Sequence, residues 1–414
     1  MSAARKGLNI LYVGTLPPHQ GGSAVVASLL LKSFAALSHT ARALSPITPE
    51  ALDGGDSFAL NHPAIGVTRF PLPYCSPDSP PPDHVRKLER GQIEKILPLL
   101  IARERPDIII IGRESVAWEV PDIARMYSLP SILMVHGGRT FGSVMGGFSK
   151  GERQLLEQFR KPNLIITVAK HLADSLRQFG FNNIEVIPNP VDLNQFSPGA
   201  KDEALCRQLG ISDSNAAVVH VSNLRILKRP FDLVSSAQRA LKKNPKLVYV
   251  IVGDGPCRRM MEESCRQKHI LENFKFVGWV DHDRVPDYLN LADIVVMLSE
   301  AEAQALVYLE TQACGRLLLA SDIPGAREVI ANGETGLLFH KGDIDDLTAK
   351  TLLAAADPVL RAEIGCKARE QVQAHDLKQT VAAYLATLED VILKHRAFPI
   401  SSRLLRVRSD PHLL

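Results

Sequence analysis

The sequence predicts an α/β protein made of two open parallel-sheet domains that face each other across a cleft. Two observations predict it. Short β-rich apolar runs alternate with helix-length amphipathic segments from one end of the chain to the other, the pattern left by repeated βαβ units. Both halves carry this alternation, separated by the turn-rich stretch Ile187-Pro-Asn-Pro-Val-Asp-Leu-Asn-Gln-Phe-Ser-Pro198. A chain of 414 residues is long enough for two domains that each bury a core. We set them at 1–195 and 196–375, with 376–414 as a helix and basic tail expected to pack back on the first domain.

In the first half, strands are expected at 9–13, 107–111, 131–135, 164–168 and 184–187, each an apolar run bounded by turn formers. The first run follows Arg5 and Lys6 and resembles a signal peptide, but it is short and contains Asn9. Pro17-Pro18 and a glycine pair follow it where a cleavage site would stand, so it reads as a buried strand. Helices are expected at 24–37, 84–103 and 171–179. The segment 44–83 has six prolines between Pro71 and Pro82 and is expected to be a loop decorating one wall. In the second half, strands at 217–221, 247–252, 275–277, 294–298 and 317–320 alternate with helices at 230–243, 258–268, 306–314 and 326–330. Apolar spacing over 378–395 fits a last helix, followed by the basic tail Arg403-Leu-Leu-Arg-Val-Arg408.

Composition narrows the functions. Forty-eight basic side chains against 45 acidic ones leave a net charge of +3, so no concentrated basic surface invites a nucleic acid. An acidic ligand must be held locally. Cys75, Cys206, Cys257, Cys265, Cys314 and Cys366 are scattered, with no spacing that suits zinc. No apolar stretch approaches the roughly 20 residues that span a bilayer. The expectation is a cytoplasmic protein, with the basic tail as the one candidate for a peripheral contact at the inner face of a membrane.

Four places can carry chemistry. After the first strand, Gly21-Gly22 precede a helix, where backbone N–H groups can approach a phosphate or simply make a tight turn. Val252-Gly-Asp-Gly-Pro256 repeats the theme with Gly253 and Gly255. Between them, Val219-His-Val-Ser-Asn-Leu-Arg-Ile-Leu-Lys-Arg-Pro230 discharges a strand into a loop carrying Arg225, Lys228 and Arg229, able to clamp a diphosphate. In Leu298-Ser-Glu-Ala-Glu-Ala-Gln-Ala-Leu-Val-Tyr-Leu-Glu310, Glu302 falls just before a helix and Glu310 two turns into it, so both carboxylates can face one cleft. The helix start around Gln304, Ala305, Leu306 and Val307 offers unpaired N–H donors. His136 ends a strand, where a backbone-bonded histidine and a reactive one both fit. Arg113, Arg139 and Lys170 are further candidate contacts for an acceptor or phosphate. Asp281-His-Asp283 imitates a metal-binding Asp-x-Asp but reads as a polar helix start, so no metal site is expected.

Two glutamates eight positions apart, with a ligand-facing turn between them, resemble the E-x7-E motif of the family-4 retaining glycosyltransferases. The resemblance extends to Gly21-Gly22, His136, Ile187-Pro-Asn-Pro-Val-Asp192, Arg225 with Lys228, Gly253-Asp-Gly-Pro256 and Ser321-Asp-Ile-Pro-Gly325. It implies two Rossmann-like domains in the GT-B architecture, with the donor on the second and the acceptor on the first. Arg225 and Lys228 would hold the diphosphate, Glu310 the ribose and Glu302 the donor sugar. The backbone from Gln304 to Val307 would complete the cradle, Gly22 would let the first domain close on the phosphate, and His136 would lie near the transferring sugar. The stretch from Val221 to Arg229, with Asn223 where most of the family has arginine, looks most like the N-acetylglucosaminyl-malate synthases of bacillithiol formation and favours a UDP-linked donor. Where relatives commonly read Glu-Gly-Phe-Gly, this chain has Glu302-Ala-Gln-Ala305, which alters the wall expected beside the sugar.

The implied activity is retaining transfer of a hexose or N-acetylhexosamine from a nucleotide-diphosphate sugar to an unidentified acceptor. No metal and no cofactor are expected, the donor being a substrate. A nucleotide-sugar 2-epimerase of the same fold, and a silent sugar-nucleotide-binding subunit, are the alternatives. A dinucleotide oxidoreductase ranks last, because neither glycine turn carries the G-x-G-x-x-G spacing.

Overall fold

The computed structural model describes residues 7–18, 21–48, 60, 62–73, 81–137 and 150–397. Among them, β1 (Asn9–Val13), β2 (Thr40–Ile47), β3 (Ile65–Pro71), β4 (Ile108–Ile111), β5 (Ser131–Val135), β6 (Leu164–Thr167) and β7 (Ile184–Val186) form one parallel sheet in the order β3-β2-β1-β4-β5-β6-β7. A second parallel sheet orders β8 (Ala216–Val221), β9 (Leu247–Val252), β10 (Phe274–Gly278), β11 (Ile294–Met297), β12 (Leu317–Ser321) and β13 (Leu337–Phe339) as β10-β9-β8-β11-β12-β13. These are the two Rossmann-like domains that the sequence predicts.

The central strands are apolar on both faces because helices cover both faces. Ile108–Ile111, Leu247–Val252 and Ile294–Met297 are buried throughout. In each sheet the chain builds outward through its first three strands and then returns to the other side of the first. Crossovers therefore diverge between β1 and β4, and again between β8 and β11. A crevice opens at the carboxyl ends of the strands at such switch points, and ligands bind there in open α/β sheets.

One expectation is corrected. The segment 44–83 is not simply a decorating loop, because β2 begins at Thr40 and runs to Ile47, and Ile65–Pro71 forms the edge strand β3. Both strands hide from periodicity for physical reasons. β3 buries only Phe70 fully, as an edge strand does, and closes on Pro71. Pro46 lies beyond Leu44, the last residue of β2 to pair with β1, so its missing N–H breaks no bond on that side. The short strand β13 and the helices Val120–Met126, Glu203–Leu209, Val285–Leu291, Ile344–Ala356 and Pro358–Gln371 also extend the sequence reading.

The helix Leu377–Ala397 returns from the second sheet to the first. Val381, Tyr384, Leu388, Val391 and Ile392 share a buried cluster with Ile10, Tyr12, Phe34 and Ile132. The two chain crossings between the sheets pair with each other: Val191 N–H donates to the His375 carbonyl at 2.9 Å, and Leu377 N–H donates to the Val191 carbonyl at 3.0 Å. Among the described residues, no helix is long and apolar enough to cross a membrane. The basic tail 403–408 lies outside the described residues, as does Arg139.

Candidate functional site

The site grows from the switch point of the second sheet. After β8 the chain turns through Ser222 to Arg229, with Leu224 (φ 34°) and Arg229 (φ 50°) in the left-handed region. This loop is fixed from below. His220 is fully buried, and its Nδ1 lies 2.8 Å from the Val296 carbonyl, which makes Nδ1–H the donor. Its Nε2 then accepts from the Ser222 hydroxyl at 2.8 Å, and the Ser222 Oγ accepts the Leu224 N–H at 3.2 Å. Burial pushes the His220 imidazole down to about 4, so it stays neutral and keeps this tautomer at physiological pH.

The glycine turn after β9 holds the same loop from the side. The Cys257 N–H donates to the Leu224 carbonyl at 2.9 Å. Gly253 has φ 115°, and a Cβ there would lie 1.9 Å from the Ser222 carbonyl oxygen; at Gly255 a Cβ would lie 2.0 Å from that of Asn223. Both glycines are thus required by backbone approaching backbone. The Asn223 Oδ1 is buried without a hydrogen-bond partner.

Beyond β11, the loop 298–305 carries Glu302 to the β8 loop. Lys228 Nζ donates to Glu302 Oε1, and the buried Ser299 hydroxyl donates to the same oxygen at 2.6 Å. Both charged side chains are mostly buried, at 18% and 14% exposed. The Glu300 N–H donates to the Leu227 carbonyl at 2.8 Å, so backbone also ties the two loops. Arg229, read from sequence as part of the cationic cluster, is committed elsewhere: it pairs with Glu300 and Asp232 at 2.6 Å each. Arg225 starts the single turn Ile226–Lys228 of this loop, and Lys228 ends it against Glu302.

Glu310 is buried in the helix Leu306–Ala313, and its Oε1 sits 2.7 Å from His282 Nε2. Burial opposes a charge on His282, but the Glu310 carboxylate outweighs it and holds the imidazole above its ordinary range. The Asp281-His-Asp283 stretch, which imitates a metal motif, therefore lends its histidine to the second glutamate of the pair. Among the described residues no group of three or more His, Cys, Asp or Glu side chains is arranged to hold a metal ion.

The first domain meets this loop directly. Ala303 belongs to the cluster that contains Val135 and Leu172, and Leu306 to the cluster that contains Ile10, Leu16 and Val26. A Cβ on Gly137 would fall 2.6 Å from that of Ala303, and one on Gly22 would fall 3.7 Å from Leu306. Gly21 (φ 129°) caps the helix that starts at Gly22. His136 is half-buried beside them, its N–H donating to Glu114 Oε1 at 3.1 Å, and burial pushes its imidazole down to about 4. Arg113 pairs with Glu89.

Two sequence readings change here. The Gln304 side chain does not line the wall beside the sugar; it is buried against Asn189, whose N–H donates to Gln304 Oε1 at 2.6 Å. Lys170 contributes its backbone: the N–H groups of Lys170 and His171 donate to Glu328 Oε2 and Oε1 at 2.8 and 2.6 Å, and His171 Nδ1 lies 2.6 Å from the same carboxylate. Glu328 of the second domain thereby caps the helix Lys170–Gln178 of the first, which has no side-chain cap of its own. Sequence reasoning missed Asn189, His220, Ser222, His282, Ser299 and Glu328. Each acts on a partner that only the fold brings near, apart from Ser222, two residues from both His220 and Leu224, and Ser299, three residues from Glu302.

Comparison with known proteins places this geometry. Residues 20–195 match the model described as Glycosyltransferase Family 4, and residues 201–371 match Glycosyl transferases group 1. The chain belongs to the GT-B glycosyltransferases. Its curated relatives include a glycogen synthase of Mycobacterium tuberculosis, 27% identical over 68% of both chains. They also include the N-acetyl-alpha-D-glucosaminyl L-malate synthase of Bacillus anthracis, 31% identical over 46% of this chain and 49% of the relative. Similar solved structures include sucrose-phosphate synthase of Thermosynechococcus elongatus (TM-score 0.80, 18% identity, 93% of this chain and all of that one). Anabaena HepE, solved with UDP and glucose, also matches (TM-score 0.76, 19% identity, 92% of this chain and all of that one).

In this glycosyltransferase the Glu328 cap gives a direct test of the cross-domain contact. Glu328→Ala is expected to lower stability by about 1 kcal/mol, the usual effect of losing a helix N-cap, measured by urea denaturation at pH 7. Burial raises the Glu328 carboxyl, but the His171 ring and the two N–H groups outweigh it and hold it below the ordinary value. Its contribution is therefore complete above the unfolded carboxyl pKa of about 4.3 and fades as pH falls through the lower folded value. The difference between wild type and Glu328→Ala should shrink in that acid window; a difference that stays constant there would contradict the assignment.

Proposed function

We propose that the chain transfers a hexose or N-acetylhexosamine, with retention of configuration and without a metal, from a UDP-linked donor to an acceptor held on the first domain. Residues 196–375 hold the donor, residues 1–195 the acceptor, and the helix Leu377–Ala397 braces the first domain. The observation that carries this reading is the placement of Lys228, on the β8 loop that also carries Arg225, against Glu302 on the β11 loop, at the switch point of the second sheet. The UDP in the HepE complex supports the choice of nucleotide, and the N-acetylglucosaminyl group in the malate synthase's name supports the N-acetylhexosamine as one of the two sugars.

Breaking the bond between sugar and phosphate puts positive charge on the anomeric carbon and negative charge on the departing diphosphate. Arg225, Lys228 and the N–H groups from Gln304 to Val307 receive the negative charge. Asn223 stands at the edge of this cradle, and Gly253 and Gly255 let the β8 loop take its shape. Glu302 orients the sugar hydroxyls, Glu310 accepts from the ribose, and Gly21 and Gly22 let the first domain approach the phosphates. His136, neutral at physiological pH, lies at the acceptor side. The acceptor oxygen attacks the anomeric carbon from the face the diphosphate leaves, and its proton passes to the departing phosphate oxygen.

Incubation with a panel of nucleotide sugars tests this. UDP release from a UDP-hexose or UDP-N-acetylhexosamine is expected, insensitive to a chelator, and the product should keep the donor's α configuration. A β-linked product would refute retention, and a free nucleotide sugar with inverted C2 would turn the reading to the epimerase.

A further inference from the structure

We propose that Gln304 is a positioning residue that fastens the donor-side loop 298–305 to the crossing between the two sheets, so that the loop and the crossing move as one body. The inference rests on the proposed function in placing the donor at that loop.

The link is reciprocal. The Asn189 N–H donates to the Gln304 side-chain Oε1 at 2.6 Å, and the Asn189 side-chain amide donates to the Gln304 carbonyl at 2.8 Å. Of the two ends of a glutamine amide only the oxygen accepts, so the Asn189 N–H fixes the orientation of the Gln304 side chain. Gln304 is 7% exposed and Asn189 6%, so water cannot replace either bond if its partner is lost.

Asn189 sits in the first of the two chain crossings, and its carbonyl lies 3.3 Å from Nδ1 of His375 in the second. Both crossings are joined again through Val191. Any change in the angle between the sheets must pass through these residues, and Gln304 is the donor-side residue bonded to them. Its neighbours hold the first domain itself: Ala303 packs at Gly137 and Leu172, and Leu306 near Gly22. Residues 303–306 thus touch both sides of the cleft and its hinge, and Gln304 supplies the polar link that a merely apolar contact would not orient. Occupancy of the donor loop should then be felt at residues 187–191.

The experiment uses the full chain, UDP as the probe, and the variants Gln304→Met, Asn189→Ala and the double variant. Gln304→Met keeps the length of the side chain and removes its acceptor. In wild type, UDP is expected to slow hydrogen exchange at 187–191. In Gln304→Met that response should be lost, kcat for nucleotide release should fall about tenfold, and UDP affinity should fall by less than kcat does, because the substitution keeps the backbone N–H at 304 and leaves Arg225, Lys228 and Glu310 in place. The double variant should be no worse than the worse single variant, as for two halves of one link. A wild-type exchange response and kcat in Gln304→Met, or two losses that multiply, would overturn the proposal. If wild type neither binds UDP nor releases nucleotide from any donor, the proposed function fails while the link is still tested: exchange at 187–191 without ligand should be about tenfold faster in Gln304→Met, and equal rates would overturn it.

Discussion

Lys228→Ala should lower kcat/KM for nucleotide release by about 10²–10³-fold, the scale on which removal of one preorganised charge or donor acts on a transition state, and should also destabilise the fold. The two effects have different origins. Departure of the diphosphate leaves negative charge on phosphate oxygens in a crevice walled by buried strands, where a fixed ammonium is worth more than in water. In the unliganded protein the same ammonium answers Glu302, a carboxylate only 14% exposed that also accepts from Ser299. Truncating Lys228 leaves that carboxylate with one neutral partner, and removing one member of a buried pair costs about 3 kcal/mol. Rates must therefore be measured below the urea midpoint of each variant. Glu302→Gln is the control. It removes the charge and keeps an acceptor for Ser299, so its stability should fall by less than that of Lys228→Ala, while transfer still drops. Unchanged nucleotide release in both Lys228→Ala and Glu302→Ala would defeat the assignment of the site.

What the sequence disclosed and what it withheld follow from the range of the interactions. Strands such as Ile108–Ile111 and Leu247–Val252 announce themselves because both faces are buried and every position must be apolar. The switch-point loops are equally visible, since glycine, arginine, lysine and glutamate stand where strands end. β3 was hidden because an edge strand needs no such run, and its Thr68 and Arg69 look like loop residues. Partnerships were hidden for a stronger reason. Lys228 finds Glu302 across 74 positions, Asn189 finds Gln304 across 115, and His171 finds Glu328 across 157. Periodicity reports which face a residue shows, never which distant residue meets it. Gln304 illustrates the limit: its place beside Glu302 was legible, but its side chain turns to the crossing between the sheets because Asn189 offers an N–H there.

His282→Gln should remove a pH-dependent part of the stability that wild type loses as pH rises from about 6.5 through the raised folded value of His282. The His282 ring and the Glu310 carboxylate are 15% and 5% exposed, and the Glu310 charge holds the imidazole above its unfolded value of about 6.5. A raised folded pKa means that the native state binds the proton more tightly than the unfolded chain. The pair's contribution is complete below about pH 6.5 and is lost as pH rises through the folded value. In wild type the urea midpoint should fall over that window; in His282→Gln the fall should be reduced, and at pH 6 the variant should be less stable by about 3 kcal/mol, because Glu310 is left buried without its countercharge. The donor gives a second reading of the same pair. If Glu310 answers the ribose, its orientation by His282 should appear in UDP affinity, with His282→Gln weakening binding about tenfold at pH 6 and by less at pH 8.5. Equal pH slopes in the two proteins would show that the imidazolium does not form. A normal UDP affinity with a reduced slope would leave the ion pair standing and remove Glu310 from the nucleotide. The sign of the effect separates this histidine from His136 and His220, whose folded values lie near 4. Those two lose native stability as pH falls, so the part of an alkaline decline that disappears in His282→Gln belongs to His282.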